Sequence, residues 1–140
     1  MAELKLEDLQ AELEKDMLID PLKLQSESAD IPKIWSKWLR YHSNAKKKLI
    51  QLQARKEADV KERLLYYTGR HETEMTDVIY TGSGEIKIAI NGDPKIVEVN
   101  KLIQYFELIA EFTSKALDIV KNKGYSIKNM LEIRKLESGA

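Results

Sequence analysis

The chain has 140 residues, a length at which one hydrophobic core buries roughly two-thirds of the unfolded surface and needs no covalent staples. Apolar residues make up 43% and charged residues 33%, a balance that excludes an intrinsically disordered chain, and the absence of cysteine excludes disulfides, thiolate catalysis and Cys-based zinc sites. A formal net charge of zero excludes a uniformly basic protein, but the charge is segregated along the chain: Met1–Pro32 holds three basic against nine acidic residues, Lys33–Arg63 ten against three, and the remainder is near neutral.

In chain order, residues 3 to 18 read as a short amphipathic helix, with Leu6, Leu9 and Leu13 on one edge among acidic neighbours. Nothing in MAELKLEDLQ resembles a signal sequence, and no stretch approaches the roughly 20 apolar residues that span a bilayer. Asp20-Pro21 interrupts the pattern, and Pro32 occupies a first-turn position from which a long helix of roughly 35 residues is expected. Trp38, Tyr41, Ala45, Leu49 and Leu52, then Val60, Leu64 and Tyr67, form its apolar stripe, and Gly69 is its stop signal. Gln53–Asp59 carries no large apolar side chain and is expected on the surface.

Between Thr68 and Asp93 the alternation of Ile86, Ile88 and Ile90 with Lys87 and Ala89 predicts a short strand, paired across Gly82-Ser83-Gly84 with Val78–Thr81 as a hairpin. Asp93-Pro94 is a cap followed by a first-turn proline. From there Ile96, Val99, Ile103, Phe106, Ala110, Thr113, Leu117 and Val120 step by three and four residues, a heptad seam. Leu102, Ile109 and Ala116 widen the stripe beyond a two-stranded coil toward a multi-helix bundle or helical barrel. Gly124 is expected to close this helix, and Ser126 to cap a last one containing Ile127, Met130, Leu131 and Arg134. The fold class is thus mainly α, with long helices, a short β-hairpin insertion and C-terminal helices forming an oligomeric bundle or barrel. One domain is expected overall, residues 1–92 as an N-terminal helical and strand region and 93–140 as a C-terminal oligomerisation region.

No catalytic constellation is visible. His42 and His71 lack the spacing of a metal-binding helix, and Gly82-Ser83-Gly84 is followed by no Gly-Lys-Ser/Thr, so a turn explains it better than a phosphate loop. The scattered carboxylates are those of solvated helical faces. No enzyme activity, metal or cofactor is expected.

Single-stranded nucleic acid is recognised by cations along the phosphates and by flat side chains on which bases stack. Residues 33–70 supply both: Lys61 and Arg63 beside Tyr66 and Tyr67, and Trp35, Trp38 and Tyr41 among Lys37, Arg40 and Lys46. Trp38 and Tyr41 lie on the apolar stripe and read better as core, so bases would stack elsewhere. For the cations a solvated helix face explains the residues equally well. The candidate DNA contacts are Lys46, Lys47, Lys48, Arg55, Lys56, Lys61, Arg63 and Arg70; the candidate oligomerisation residues are Ile96, Val99, Ile103, Phe106, Ala110, Leu117 and Val120. A coiled-coil adaptor without DNA affinity is the alternative, though it has no need of ten basic residues within Lys33–Arg63.

Three runs in this order, Ser36-Lys37-Trp38-Leu39 with His42-Ser43, Lys61-Glu62-Arg63-Leu64-Leu65-Tyr66-Tyr67-Thr68-Gly69-Arg70, and Gly124-Tyr125-Ser126-Ile127-Lys128-Asn129 with Arg134-Lys135-Leu136-Glu137-Ser138-Gly139, resemble the UvsY recombination mediators of T-even-like phages. The resemblance covers nearly the whole chain. It implies a homo-oligomeric ring, a heptamer, that binds single-stranded DNA, displaces the single-strand DNA-binding protein and stabilises a recombinase filament, acting without catalysis in the host cell cytoplasm. It also implies a DNA-contact role for Lys61 and Arg63, which match the basic pair of the family's Lys-Ala-Arg-Leu pattern. Glu62 replaces the alanine, and a carboxylate between two phosphate contacts weakens the local potential unless it points away.

Overall fold

The computed structural model describes residues 4–139 as four helices: α1 (Leu6–Asp16), α2 (Leu24–Tyr67), α3 (Ser83–Asn91) and α4 (Pro94–Glu137). Residue 3, the expected start of α1, lies outside the described residues. Two compact units are present, one formed by residues 1–45 and 108–140, the other by 46–107; α2 and α4 contribute to both.

In the first unit, Leu9 and Leu13 of α1, Leu24, Trp38 and Ala45 of α2, and Ile109, Thr113, Ala116, Val120 and Ile127 of α4 are buried. Trp38 is its largest fully buried side chain. Its indole N–H donates to Asp16 Oδ2 at 2.9 Å, which meets the requirement that a buried indole find an acceptor, and Tyr41 and Phe112 meet it edge-on. The expectation that Trp38 belongs to the core rather than to a ligand surface holds. Lys123, buried on α4, donates to the Asp16 carbonyl at 2.7 Å and pairs with Glu27 at 3.0 Å, so one cation joins the end of α1, the start of α2 and α4.

In the second unit Leu49 and Leu52 of α2, Ile90 of α3, and Ile96, Val99 and Phe106 of α4 are buried. The end of α2 is a Schellman motif: the Gly69 N–H bonds the Tyr66 carbonyl at 3.2 Å and the Arg70 N–H the Leu65 carbonyl at 2.8 Å. Gly69 has φ +72°, and a Cβ there would lie 3.0 Å from Ile79 Cδ1, so both backbone and packing require glycine.

Three expectations are corrected. The predicted hairpin is absent: no strand occurs among the described residues, and Ser83–Asn91 is helical. An alternating run this short also places Ile86, Ala89 and Ile90 on one helical face; that face is the covered one, with Ile90 buried and Ile86 and Ala89 half-covered, while Ile88 stays 75% exposed. A lone two-stranded hairpin has too little surface to bury to compete.

The long helix starts at Leu24 and carries Pro32 in its interior, although an interior proline costs about 3 kcal/mol. Buried Leu24 and the Glu27–Lys123 ion pair hold the turns upstream in place. Likewise α4 passes through Gly124 to Glu137. A glycine stop of the kind that ends α2 uses a left-handed residue, whereas Gly124 has no positive φ; buried Lys123 and Ile127 on either side fix both flanking turns, offsetting a propensity cost of about 1 kcal/mol.

Candidate nucleic-acid interface

Helical geometry divides the basic motif of α2. Residues one and two places apart on a helix point about 100° and 200° away from each other, so Lys61 and Arg63 face nearly opposite directions. Lys61 is exposed. The Arg63 side chain, 14% exposed, points inward: its Nε donates to Asp93 Oδ2 at 2.9 Å, and Nη1 lies 3.3 Å from both Glu62 Oε1 and Glu74 Oε2. The guanidinium also sits 4.1 Å from the Tyr66 ring centroid and 5.4 Å from that of Tyr67, so these rings are engaged internally.

Asp93 is the centre of this network. Its Oδ1 accepts the Lys95 backbone N–H at 2.9 Å, the cap of α4, while Oδ2 accepts Arg63 and the Tyr67 hydroxyl, the latter at 2.6 Å. Burial pushes the Asp93 carboxyl up, but the hydrogen bonds from Tyr67 and Lys95 and the Arg63 charge together hold it below its ordinary value. Burial and the hydrogen bond to Asp93 raise the Tyr67 phenol.

Glu62 turns out to be neutralised locally: Lys95 Nζ lies 3.1 Å from Oε2, and Arg63 and His71 contact Oε1 at 3.3 and 3.1 Å. Despite its burial, the Lys95 hydrogen bond and the surrounding cations hold its carboxyl below the usual value. Glu62, His71 and Glu74 bring one ligand atom each within 4.8 Å of one another, but the Arg63 guanidinium and Lys95 ammonium already supply the positive charge such a cluster would take from a metal.

The remaining candidate contacts divide by pairing. Lys46, Lys47 and Lys61 are exposed and form no ion pair among the described residues. They share a 100° arc of α2 with a single carboxylate, Glu57. Lys48 is exposed, its Nζ 5.8 Å from the Phe106 ring centroid. Arg55 is held by Asp59 at 3.5 Å and Glu98 at 4.0 Å, Lys56 is half-buried, and exposed Arg70 donates from Nε to Thr68 Oγ1. Asp59, expected on the surface at the end of Gln53–Asp59, is buried, whereas Gln53, Ala54, Arg55, Glu57 and Ala58 are exposed.

Of the seam residues, Ile96, Val99, Phe106, Ala110 and Val120 are buried within the chain, while Ile103 and Leu117 are half-covered. Sequence reasoning missed Asp93, Lys95, His71 and Glu74 as partners of the motif. The Asp93-Pro94 cap was the one signal that pointed to any of them.

The family model described as recombination, repair and ssDNA binding protein UvsY matches residues 12–140. The chain belongs to the UvsY family. The recombination protein uvsY of Enterobacteria phage T4 is 38% identical over 136 residues, covering 97% of this chain and 99% of that one. Two crystal structures of the bacteriophage T4 recombination mediator protein UvsY superpose with TM-scores of 0.87 and 0.86, at 37% and 38% identity; they cover 97% and 95% of this chain and 99% of theirs. The helical fold described above is therefore a UvsY fold. Within it, Lys61 is the solvent-facing member of the UvsY-like basic pair and Arg63 the inward-facing one.

Proposed function

We propose that the chain is a non-catalytic recombination mediator that binds single-stranded DNA, displaces the single-strand DNA-binding protein and stabilises a recombinase filament in the cytoplasm of a phage-infected host. The observation that carries the DNA-binding part is the group of exposed Lys46, Lys47 and Lys61 on one arc of α2, without an ion pair among the described residues. Unpaired cations release counterions when they meet phosphates, whereas cations already bound to carboxylates gain little. Lys48, Lys56, Arg55 and Arg70 extend the basic segment. Arg63 acts through the fold, its guanidinium being committed to Asp93, Glu62 and Glu74.

The chain works as a homo-oligomer, a heptameric ring. The seam from Ile96 to Val120 builds each protomer's core, and its half-covered members Ile103 and Leu117 are left to contribute to subunit contacts. Several modest sites on one assembly act on one strand at high effective concentration. No helix among the described residues is long and apolar enough to cross a membrane.

The test is a titration of labelled single-stranded DNA over a salt series, comparing the natural chain with Lys46→Ala/Lys47→Ala/Lys61→Ala while sedimentation follows assembly. Three lost phosphate contacts should flatten the slope of log K against log salt by about 2. A natural oligomer that does not bind even at low salt would instead support the coiled-coil adaptor.

A further inference from the structure

A cleft of about 540 Å³ opens in the first unit between the early turns of α2 and the late turns of α4, within the roughly 300–1,000 Å³ of small-ligand sites. Its α2 wall carries Trp35 and Ser28, and its α4 wall carries Lys121, Gly124, Tyr125 and Lys128. Trp35 and Tyr125 are 38% and 56% exposed, a large free aromatic area beside a Trp38 that is fully buried. Lys121 and Lys128 stand two turns apart on one helical face, either side of Tyr125. Both are exposed and form no ion pair among the described residues. Among the described residues no carboxylate lines the cleft.

Two local features mark this edge of the cleft. Gly124 has no Cβ where one would come 3.5 Å from Ile31 Cγ2. Pro32 has no N–H to return to the carbonyl of Ser28, so this acceptor lacks its usual helical donor. The lining thus offers aromatic faces and two cations, which is the chemistry that receives a planar heteroaromatic ring bearing an anionic group.

We propose that this cleft receives an unstacked base of single-stranded DNA, with Trp35 and Tyr125 as stacking surfaces and Lys121 and Lys128 on the flanking phosphates. This inference rests on the DNA-binding reading above and assigns it a second contact, chemically distinct from the lysines of α2. Stacking is tolerant of sequence because every base has a π-face, and cations without carboxylate partners carry their full charge to the strand.

The test compares a labelled dT oligonucleotide with an abasic oligonucleotide of equal length, both titrated against the full chain. Trp35→Ala should weaken binding to the dT strand about tenfold and leave the abasic strand unaffected, while Trp35→Phe keeps most of the affinity. Lys121→Ala/Lys128→Ala should weaken both strands and flatten the salt slope by about 1.4. Unchanged dT binding by Trp35→Ala overturns the proposal, as does an equal loss on both strands. A changed sedimentation of DNA-free Trp35→Ala also overturns it, since the cleft would then be a subunit contact. If the natural chain binds neither strand at low salt, the DNA-binding reading itself fails, and the cleft assignment with it.

Discussion

The Nε of Arg63 donates to Oδ2 of Asp93 at 2.9 Å, so α2 is fastened just before its last turn to the capping residue of α4. Two basic residues that stand two places apart in the sequence therefore do different work: Lys61 offers its charge to solvent, and Arg63 closes the second unit.

Replacing each by alanine should separate the roles. Arg63→Ala leaves the buried Asp93 carboxylate without its cation, a loss of about 3–5 kcal/mol, and should lower the urea midpoint sharply. Lys61→Ala should alter stability by no more than about 0.5 kcal/mol while weakening single-stranded DNA binding and flattening its salt slope by about 0.7. Equal effects of the two substitutions on unfolding would contradict the assignment.

Acid should act through Asp93. Its carboxyl is depressed in the folded state, so its contribution is complete above the unfolded value near 4 and is lost as pH falls through the lower folded value. Thermal unfolding followed from pH 7 to 2.5 should show the natural chain losing stability below about pH 4. Asp93→Asn, already weaker at neutral pH, should show a shallower acid limb.

Lys123 is a buried ammonium satisfied by the Asp16 carbonyl and Glu27. Lys123→Ala should destabilise by about 3 kcal/mol because it orphans those acceptors. Glu27→Gln, whose amide oxygen still accepts from the ammonium, should cost less. Paired denaturation curves check the order; equal losses would mean that the carbonyl contact contributes little.

Two glycines should respond with opposite sign. Gly69→Ala forces a Cβ into a left-handed turn against Ile79 and should cost about 1–2 kcal/mol. Gly124→Ala, inside α4 with only an ordinary contact to Ile31, should stabilise by about 0.5–1 kcal/mol. Melting temperatures of the two variants decide the matter.

Much of the helical order was legible in the residues. Leu9 and Leu13, the stop at Gly69 and the start at Asp93-Pro94 were read from spacing and capping chemistry, which are local and survive in any tertiary context. The core role of Trp38 followed from its place on the apolar stripe. Local rules failed where a distant residue outweighed them. Pro32 and Gly124 read as helix boundaries, yet the burial of Leu24, Lys123 and Ile127 carries both helices past them. The isoleucines of 86–90 read as a strand by their alternation, but they are helical, and Ile86, Ala89 and Ile90 share the covered face.

By itself the sequence determined which residues are apolar at helical spacing, where the helices can be capped, and that positive charge concentrates between Lys33 and Arg63. Tertiary structure alone decided which of those charges remain free. Arg63 meets Asp93 because the fold brings two residues 30 positions apart within a hydrogen bond, and Trp38 is buried because it meets Asp16 and Phe112, whereas Trp35, on the wall of the cleft beside α4, stays 38% exposed. Periodicity gives the direction of a side chain around its own helix; what waits in that direction is set by the packing of the other elements.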